Sequence, residues 1–140
     1  MRIHVALIAA AVALSGCSTL NSGSPDASAR TSSGPAAPAT IISAMDGGLI
    51  GGPVGATLSE GDRRAALQAE YRALEYTPGG KAVDWQGSGG VSGSVTAAQP
   101  YRVGSQDCRQ FTQTVNAGGQ TRSARGTACR NPDGSWTRLT

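Results

Sequence analysis

Histidine, aromatic residues and long apolar runs are scarce in this chain of 140 residues. The single histidine is His4, which lies inside the apolar stretch at the start of the sequence. Without that stretch no imidazole remains, which excludes Ser-His-Asp and Cys-His catalysis and histidine-based metal sites. Aromatic residues make up only 4% of the chain. The core must therefore be modest, and one domain at most fits this length.

The chain also has a small net charge and lacks the common nucleotide-binding motifs. The 12 basic residues exceed the 9 acidic residues by too little to indicate a nucleic-acid partner. The chain has no P-loop and no G-x-G-x-x-G motif, so the glycines at residues 87–90 predict a turn between strands. Only a carboxylate pair could act as a catalytic centre, and Asp84 and Asp107 have no spacing that indicates one. We predict that the protein is not an enzyme and holds neither a metal nor a cofactor.

The first residues have the pattern of a secretory signal. A short positive start is followed by ten uncharged, mostly apolar residues from Val5 to Leu14, the length of a signal h-region. The next residues, Leu14-Ser15-Gly16-Cys17, resemble the lipobox of bacterial lipoproteins, in which the cysteine becomes the new N-terminus and its thiol carries lipid. The alternative is an ordinary signal peptide with an incidental cysteine. We predict a signal peptide over residues 1–16 and lipidation of Cys17.

A lipid on Cys17 would attach the protein to a membrane without a transmembrane helix. One acyl chain binds a membrane only marginally, whereas two or more hold it stably. Lipoproteins of this type carry three chains, palmitate among them. By the same resemblance, serine rather than aspartate at Ser18 indicates the outer membrane. The sequence leaves open which face of that membrane the domain occupies and its oligomeric state.

Two segments of different composition follow the cysteine. Residues 17–40 are rich in Ser, Ala, Pro and Gly, a composition that buries too little apolar surface to order the chain, so a disordered lipidated linker is predicted. Residues 41–58 carry glycines at four-residue spacing, which lets helices approach closely in membranes. Asp46 and Pro53 oppose a membrane helix. The segment is therefore either a packed loop or partial helix, or a helix that pairs in or on a membrane.

A helix is predicted to begin at Ser59, which has the chemistry of an N-cap. Leu67, Tyr71 and Leu74 then recur at i, i+4 and i+7 and form an apolar stripe. The helix is expected to end near Tyr76, before a Thr-Pro-Gly-Gly run. Its charged residues are expected to form a solvated face. They are Arg63, Arg64, Glu70, Arg72 and Glu75.

Strand patterns replace the helical period after Gly80, and they end in a long hairpin. Gly118-Gly119 is a favoured two-residue turn because both glycines accept positive φ. The register set by this turn continues until Cys108 faces Cys129 in a non-hydrogen-bonded pair, where the Cα atoms lie close enough for a disulfide. In an oxidising compartment this bond would contribute on the order of 3 kcal/mol. The alternative, a reactive or metal-binding thiol pair, lacks a histidine and a C-x-x-C spacing.

The sequence predicts an α+β domain over residues 59–140, in which one amphipathic helix packs on a small antiparallel sheet. One hairpin face is expected to pack beneath the helix, and the polar face is expected to meet water. Trp85 and Trp136 are interpreted as core anchors rather than sugar-stacking platforms. The hairpin also carries arginines that are candidate contacts for an anionic envelope protein or glycan. These are Arg109, Arg122, Arg125 and Arg130.

These features together resemble the 17-kilodalton outer membrane surface antigen family. The most specific part of the resemblance is C-terminal: CRQFTQTV at residues 108–115 and GTACRNPDGSWT at residues 126–137. It extends over roughly residues 47–140 and includes the lipobox. The resemblance implies a lipid-anchored surface antigen of the bacterial envelope. Its role would be structural or one of interaction, and the alternative is a binding module or inhibitor that uses the arginine-bearing hairpin.

Overall fold

The computed structural model describes residues 38–140, with side chains from residue 41 onward. The predicted signal peptide, Cys17 and most of the predicted linker therefore lie outside the described residues. The helices are α1 (Pro38–Ala44) and α2 (Glu60–Glu75), with two single-turn 3-10 helices between them (Leu49–Gly51 and Pro53–Gly55). The strands are β1 (Ala82–Gln86), β2 (Ser92–Ala97), β3 (Tyr101–Val103), β4 (Gln106–Ala117), β5 (Gln120–Arg130) and β6 (Trp136–Leu139). One main helix on a six-stranded antiparallel sheet confirms the predicted α+β class.

Helix α2 has the ends that its sequence predicts. The Ser59 hydroxyl accepts a hydrogen bond from the Asp62 amide at 3.1 Å, which satisfies one of the free N–H groups of the first turn. The helix closes at Tyr76, whose amide donates to the Arg72 carbonyl. Leu67 and Leu74 are buried, as the apolar stripe predicts.

The sheet has the strand order β1-β2-β4-β5-β6. Strand β3 lies on the same side of β4 as β2 and pairs with residues 106–108, the part of β4 that β2 does not reach. The β4–β5 hairpin has the predicted register, with Ala117 opposite Gln120 and Cys108 opposite Cys129. Phe111 is 1% exposed on the helix side of the sheet. The alternate residue Thr112 is only half-buried on the opposite side.

The core lies between α2 and the sheet, and residues 41–58 belong to it. Met45, Ile50 and Val54 are buried in the same apolar cluster as the helix and strand residues. Residues 41–58 and 59–140, which the sequence divides at residue 58, therefore share one apolar core. Between residues 38 and 140, no helix combines the length and the apolar character needed to span a membrane.

Trp85 and Trp136 are both buried, at 6% and 3% exposed. Trp85 lies against Gly93 on the neighbouring strand, where a Cβ atom would meet the indole ring and the Thr114 carbonyl. Glycine at residue 93 therefore makes room for the indole. Both indoles are core groups, as interpreted from the sequence.

Candidate interaction site

The disulfide closes the base of the β4–β5 hairpin. Cys108 and Cys129 are bonded, with their Cα atoms 4.0 Å apart. This short separation is typical of a non-hydrogen-bonded antiparallel pair, which is the position that the turn geometry predicts. Both sulfur-bearing residues are buried. The bond fixes the end of the hairpin that carries Arg109 and Arg130.

Arg109 is buried and does not face solvent, which corrects its assignment as a candidate anion contact. Its guanidinium donates to the carbonyls of Ala73 and Leu74 at 2.9 and 2.7 Å, and to those of Ala98 and Thr77 at 2.7 and 3.1 Å. Ala73 and Leu74 lie in the last turn of α2, so the cation satisfies free carbonyls there and complements the negative end of the helix dipole. Burial lowers the pKa of Arg109 below its usual value.

Arg130 is partly exposed, but its guanidinium is paired with an acid of the protein. It forms an ion pair with Glu75, with 2.9 Å between Nη2 and Oε1, and the indole N–H of Trp136 donates to the same carboxylate at 2.9 Å. Burial would raise the pKa of Glu75, but the hydrogen bonds from Arg130 and Trp136 outweigh it and hold this pKa below its usual value. The network joins α2 to β5 and β6. Glu75 is therefore not the solvated charge that the sequence predicted, and Arg130, predicted as a contact for an anionic partner, is paired with Glu75 instead.

Arg122 and Arg125 are the two candidate arginines that the structure leaves exposed. Neither forms an ion pair with any acid among residues 41–140. Arg122 donates weakly to neutral oxygens of Gln120 and Thr57, at 3.3 and 3.5 Å. The two arginines lie on opposite faces of β5 because their positions differ by an odd number of residues. The candidate surface is therefore reduced from four arginines to two.

Glu70 is a buried carboxylate, which corrects the expectation that it lies on a solvated face of α2. It is 0% exposed, and its oxygens accept hydrogen bonds from the amides of Leu49 and Ile50 at 2.9 and 3.0 Å. Burial raises the pKa of Glu70 to about 8, against the opposing effect of these two amides. A signal was present in the sequence, since Glu70 lies three residues after Leu67 and four before Leu74, within the apolar stripe.

Two glycines of residues 41–58 are required by close contacts in the structure. Gly48 has φ +53, and a Cβ atom there would collide with the Glu70 carboxylate and with Leu67. Gly55 is similarly constrained, because a Cβ atom would collide with the Ile50 carbonyl. Arg63 holds the same segment from outside by donating to the Gly55 carbonyl at 3.1 Å. In the structure these glycines allow close packing within the domain.

The described residues offer little for metal or carboxylate chemistry. Among residues 41–140 no three His, Cys, Asp or Glu side chains form a group that could hold a metal ion. Asp107 is paired with Arg102 at 3.0 Å. Asp84 pairs with Ser94 on β2, and Ser94 pairs with Thr114 on β4. Thr114 is seven residues from Asp107 along β4, which corresponds to about 23 Å of strand. The two carboxylates share no cleft.

Comparison with known proteins finds a family that matches the part of the chain containing most of the sheet. Residues 72–137 match the family described as 17 kDa outer membrane surface antigen. Over these residues the chain is similar to that family. The match includes the disulfide hairpin and the first half of β6, and it confirms the resemblance that the C-terminal motifs predicted.

Several rickettsial proteins named 17 kDa surface antigen are similar to the chain. The Rickettsia bellii protein is 45% identical over 85 residues, which is 59% of this chain and 54% of that protein. The Rickettsia felis protein is 47% identical over 81 residues, covering 56% of this chain and 51% of its own length. The chain thus spans about half the length of the curated relatives it matches. No solved structure matches it.

Proposed function

We propose that the protein is a lipid-anchored surface antigen of the bacterial outer membrane, with a structural or interaction role and no catalytic activity. The family match over residues 72–137 carries this proposal, since it covers the disulfide hairpin and the sheet around it. The lipobox-like sequence at residues 14–17 supports the anchor. The relatives' names support a location at the cell surface. In this proposal residues 1–16 are removed and residues 17–40 connect the lipid to the domain.

Replacement of the proposed lipidated residue tests the anchor. Wild-type protein is expected in the outer-membrane fraction of a Gram-negative host, whereas Cys17→Ala is expected in a soluble fraction or with its precursor uncleaved. Ser22→Ala is the matched control, because it changes a small residue of the proposed linker and leaves the lipobox intact. If mature Cys17→Ala sedimented with the outer membrane like wild type, the lipid anchor would be refuted.

The exposure of Arg122 and Arg125 favours a second candidate function, recognition of an anionic envelope component through the hairpin. Both side chains lack an ion-pair partner among residues 41–140, and guanidinium groups bind carboxylates and phosphates with two parallel hydrogen bonds. Crosslinking in intact envelopes tests this candidate. The double variant Arg122→Gln/Arg125→Gln is expected to lose a crosslinked partner that Arg72→Gln/Lys81→Gln retains. Equal crosslinking by both double variants would contradict it.

A further inference from the structure

Strand β5 is paired along nearly its whole length on one side but only in part on the other. Strand β4 pairs with it from Gln120 to Cys129. Strand β6 pairs only with residues 127–130. The outer edge of residues 121–126, called here the open edge of β5, has no neighbouring strand in the described structure.

The direction of the hydrogen bonds along β5 can be assigned from both ends. Ala117 and Gln120 close the two-residue turn as a hydrogen-bonded pair, so the even-numbered residues of β5 bond to β4. At the other end, the Asn131 amide donates to the Ser135 carbonyl at 2.8 Å. In the register of β5 and β6, this bond means that the odd-numbered residues of β5 bond to β6. The outward amides and carbonyls in the open edge therefore belong to Thr121, Ser123 and Arg125. They have no hydrogen-bond partner among residues 38–140.

The surroundings of the open edge are basic and partly apolar. Arg122 lies on the helix side of the sheet and Arg125 on the opposite side, and both are exposed. A cavity of about 360 Å³ adjoins the edge on the helix side, where Pro53 and Val54 meet the strand. An added strand would present alternate side chains to the two faces. Small apolar side chains fit the cavity, and carboxylates fit the arginines.

We propose that the open edge of β5 binds an extended acidic segment of another envelope protein by β-strand addition. This inference rests on the binding role proposed above for the hairpin, and it specifies the partner class and the binding mode. The main-chain groups of Thr121, Ser123 and Arg125 hold the added strand, and the arginines select for acidic side chains. Pairing with the same edge of a second copy is disfavoured, because it places the arginines of both copies along one seam without an acid.

A synthetic peptide in which glutamate alternates with valine is the probe, with a peptide carrying lysine in place of glutamate as its control. Binding to the full-length protein is measured by titration, together with amide hydrogen exchange. The amides of Thr121, Ser123 and Arg125 are expected to exchange rapidly in the free protein and to become protected when the glutamate peptide binds. Binding is expected to weaken with increasing salt.

Ser123→Pro removes an outward N–H without removing a bond to β4, and proline is tolerated at strand edges. It is expected to weaken glutamate-peptide binding at least about tenfold, because one hydrogen bond to the added strand is lost. Ser94→Ala, on β2, is the matched control and is expected to bind like wild type. The proposal is overturned if Ser123→Pro remains folded and binds unchanged, if the lysine peptide binds equally, or if protection appears at β1 instead. Protection that depends only on protein concentration would assign the edge to self-association, which also overturns it.

These outcomes are separable from those of the proposed function. Loss of peptide binding with persistent arginine-dependent crosslinking in envelopes would refute strand addition and leave anion recognition standing. The location of Cys17→Ala tests the anchor without reference to the open edge.

Discussion

Replacing Glu70 with glutamine should remove most of the pH dependence of the stability of the domain between about pH 5 and about pH 8. The Glu70 carboxyl group is fully buried and accepts one hydrogen bond from each of two backbone amides, those of Leu49 and Ile50. A glutamine side chain has a single acceptor oxygen, so one of these amides loses its acceptor. Leaving a buried donor unsatisfied costs about 1–3 kcal/mol in the free energy of unfolding. This cost applies at any pH.

The wild-type protein carries an additional pH-dependent cost. Burial raises the pKa of Glu70 from its ordinary value of 4.5 to about 8. Between these values the folded chain holds a proton that the unfolded chain has lost, so the free energy of unfolding decreases as pH rises. The slope is up to about 1.4 kcal/mol per pH unit, and the total is on the order of 4 kcal/mol. Glu75 has a lowered pKa and acts oppositely, but its contribution is lost only at pH values below this window.

Urea unfolding followed by tryptophan fluorescence at pH values from about 5 to about 8 measures both effects. Glu70→Gln is expected to be less stable than wild type at the acid end and to equal or exceed it at the alkaline end. Glu60→Gln, an exposed carboxylate on the same helix, is the matched control and should follow wild type. A wild-type stability that is constant or rises across this range, or a Glu70→Gln variant with the wild-type slope, would refute the reasoning.

Three further variants, and Gly51→Ala as a control for one of them, test contacts that position the hairpin, the helix and the segment that packs on it. Replacing both Cys108 and Cys129 with alanine opens a loop with a sequence separation of 21 and should lower the free energy of unfolding by about 3 kcal/mol, matching reduced wild type in urea unfolding. Gly48→Ala introduces a Cβ atom at φ +53 against a buried carboxylate and should cost about 2 kcal/mol or more. Gly51→Ala, where a Cβ atom meets nothing within 4 Å, should cost less than about 1 kcal/mol, and equal thermal midpoints for the two would contradict the packing argument. Arg109→Lys keeps the charge but loses the planar guanidinium that reaches four carbonyls, so it should lower the free energy of unfolding by about 2 kcal/mol. An unchanged midpoint in urea unfolding would contradict a stabilising role of the Arg109 guanidinium at the end of α2.

Local chemistry predicted the helix and the hairpin correctly. The Ser59 cap and the apolar stripe of α2 depend on residues within a few turns of each other. The Gly118-Gly119 turn fixes the register of β4 and β5, and a fixed register places Cys108 opposite Cys129. The structure therefore agrees with the sequence where a short segment determines the geometry.

The roles of Glu70 and Arg109 depend on contacts distant in sequence and could not be predicted in the same way. The amide partners of Glu70 lie 21 and 20 residues away, and the helix-end partners of Arg109 lie 36 and 35 residues away. A charged residue near an apolar stripe is usually solvated, and only tertiary packing shows that these two are satisfied by backbone groups. The same packing reduces the arginine surface to Arg122 and Arg125.

The glycine segment shows why a spacing pattern alone was ambiguous. Glycines four residues apart suit close helix packing, but they equally suit short 3-10 turns that approach a buried side chain. Glu70, which lies outside the segment, favours the second arrangement in the structure.

In the proposed function, a lipid on Cys17 anchors a domain closed by the Cys108–Cys129 bond. Intact-mass spectrometry of the protein extracted from outer membranes tests it most directly. The account predicts a mature chain that begins at Cys17, carries three acyl chains and has no free thiol. A chain that still begins at Met1, or one with free thiols at both Cys108 and Cys129, would contradict it.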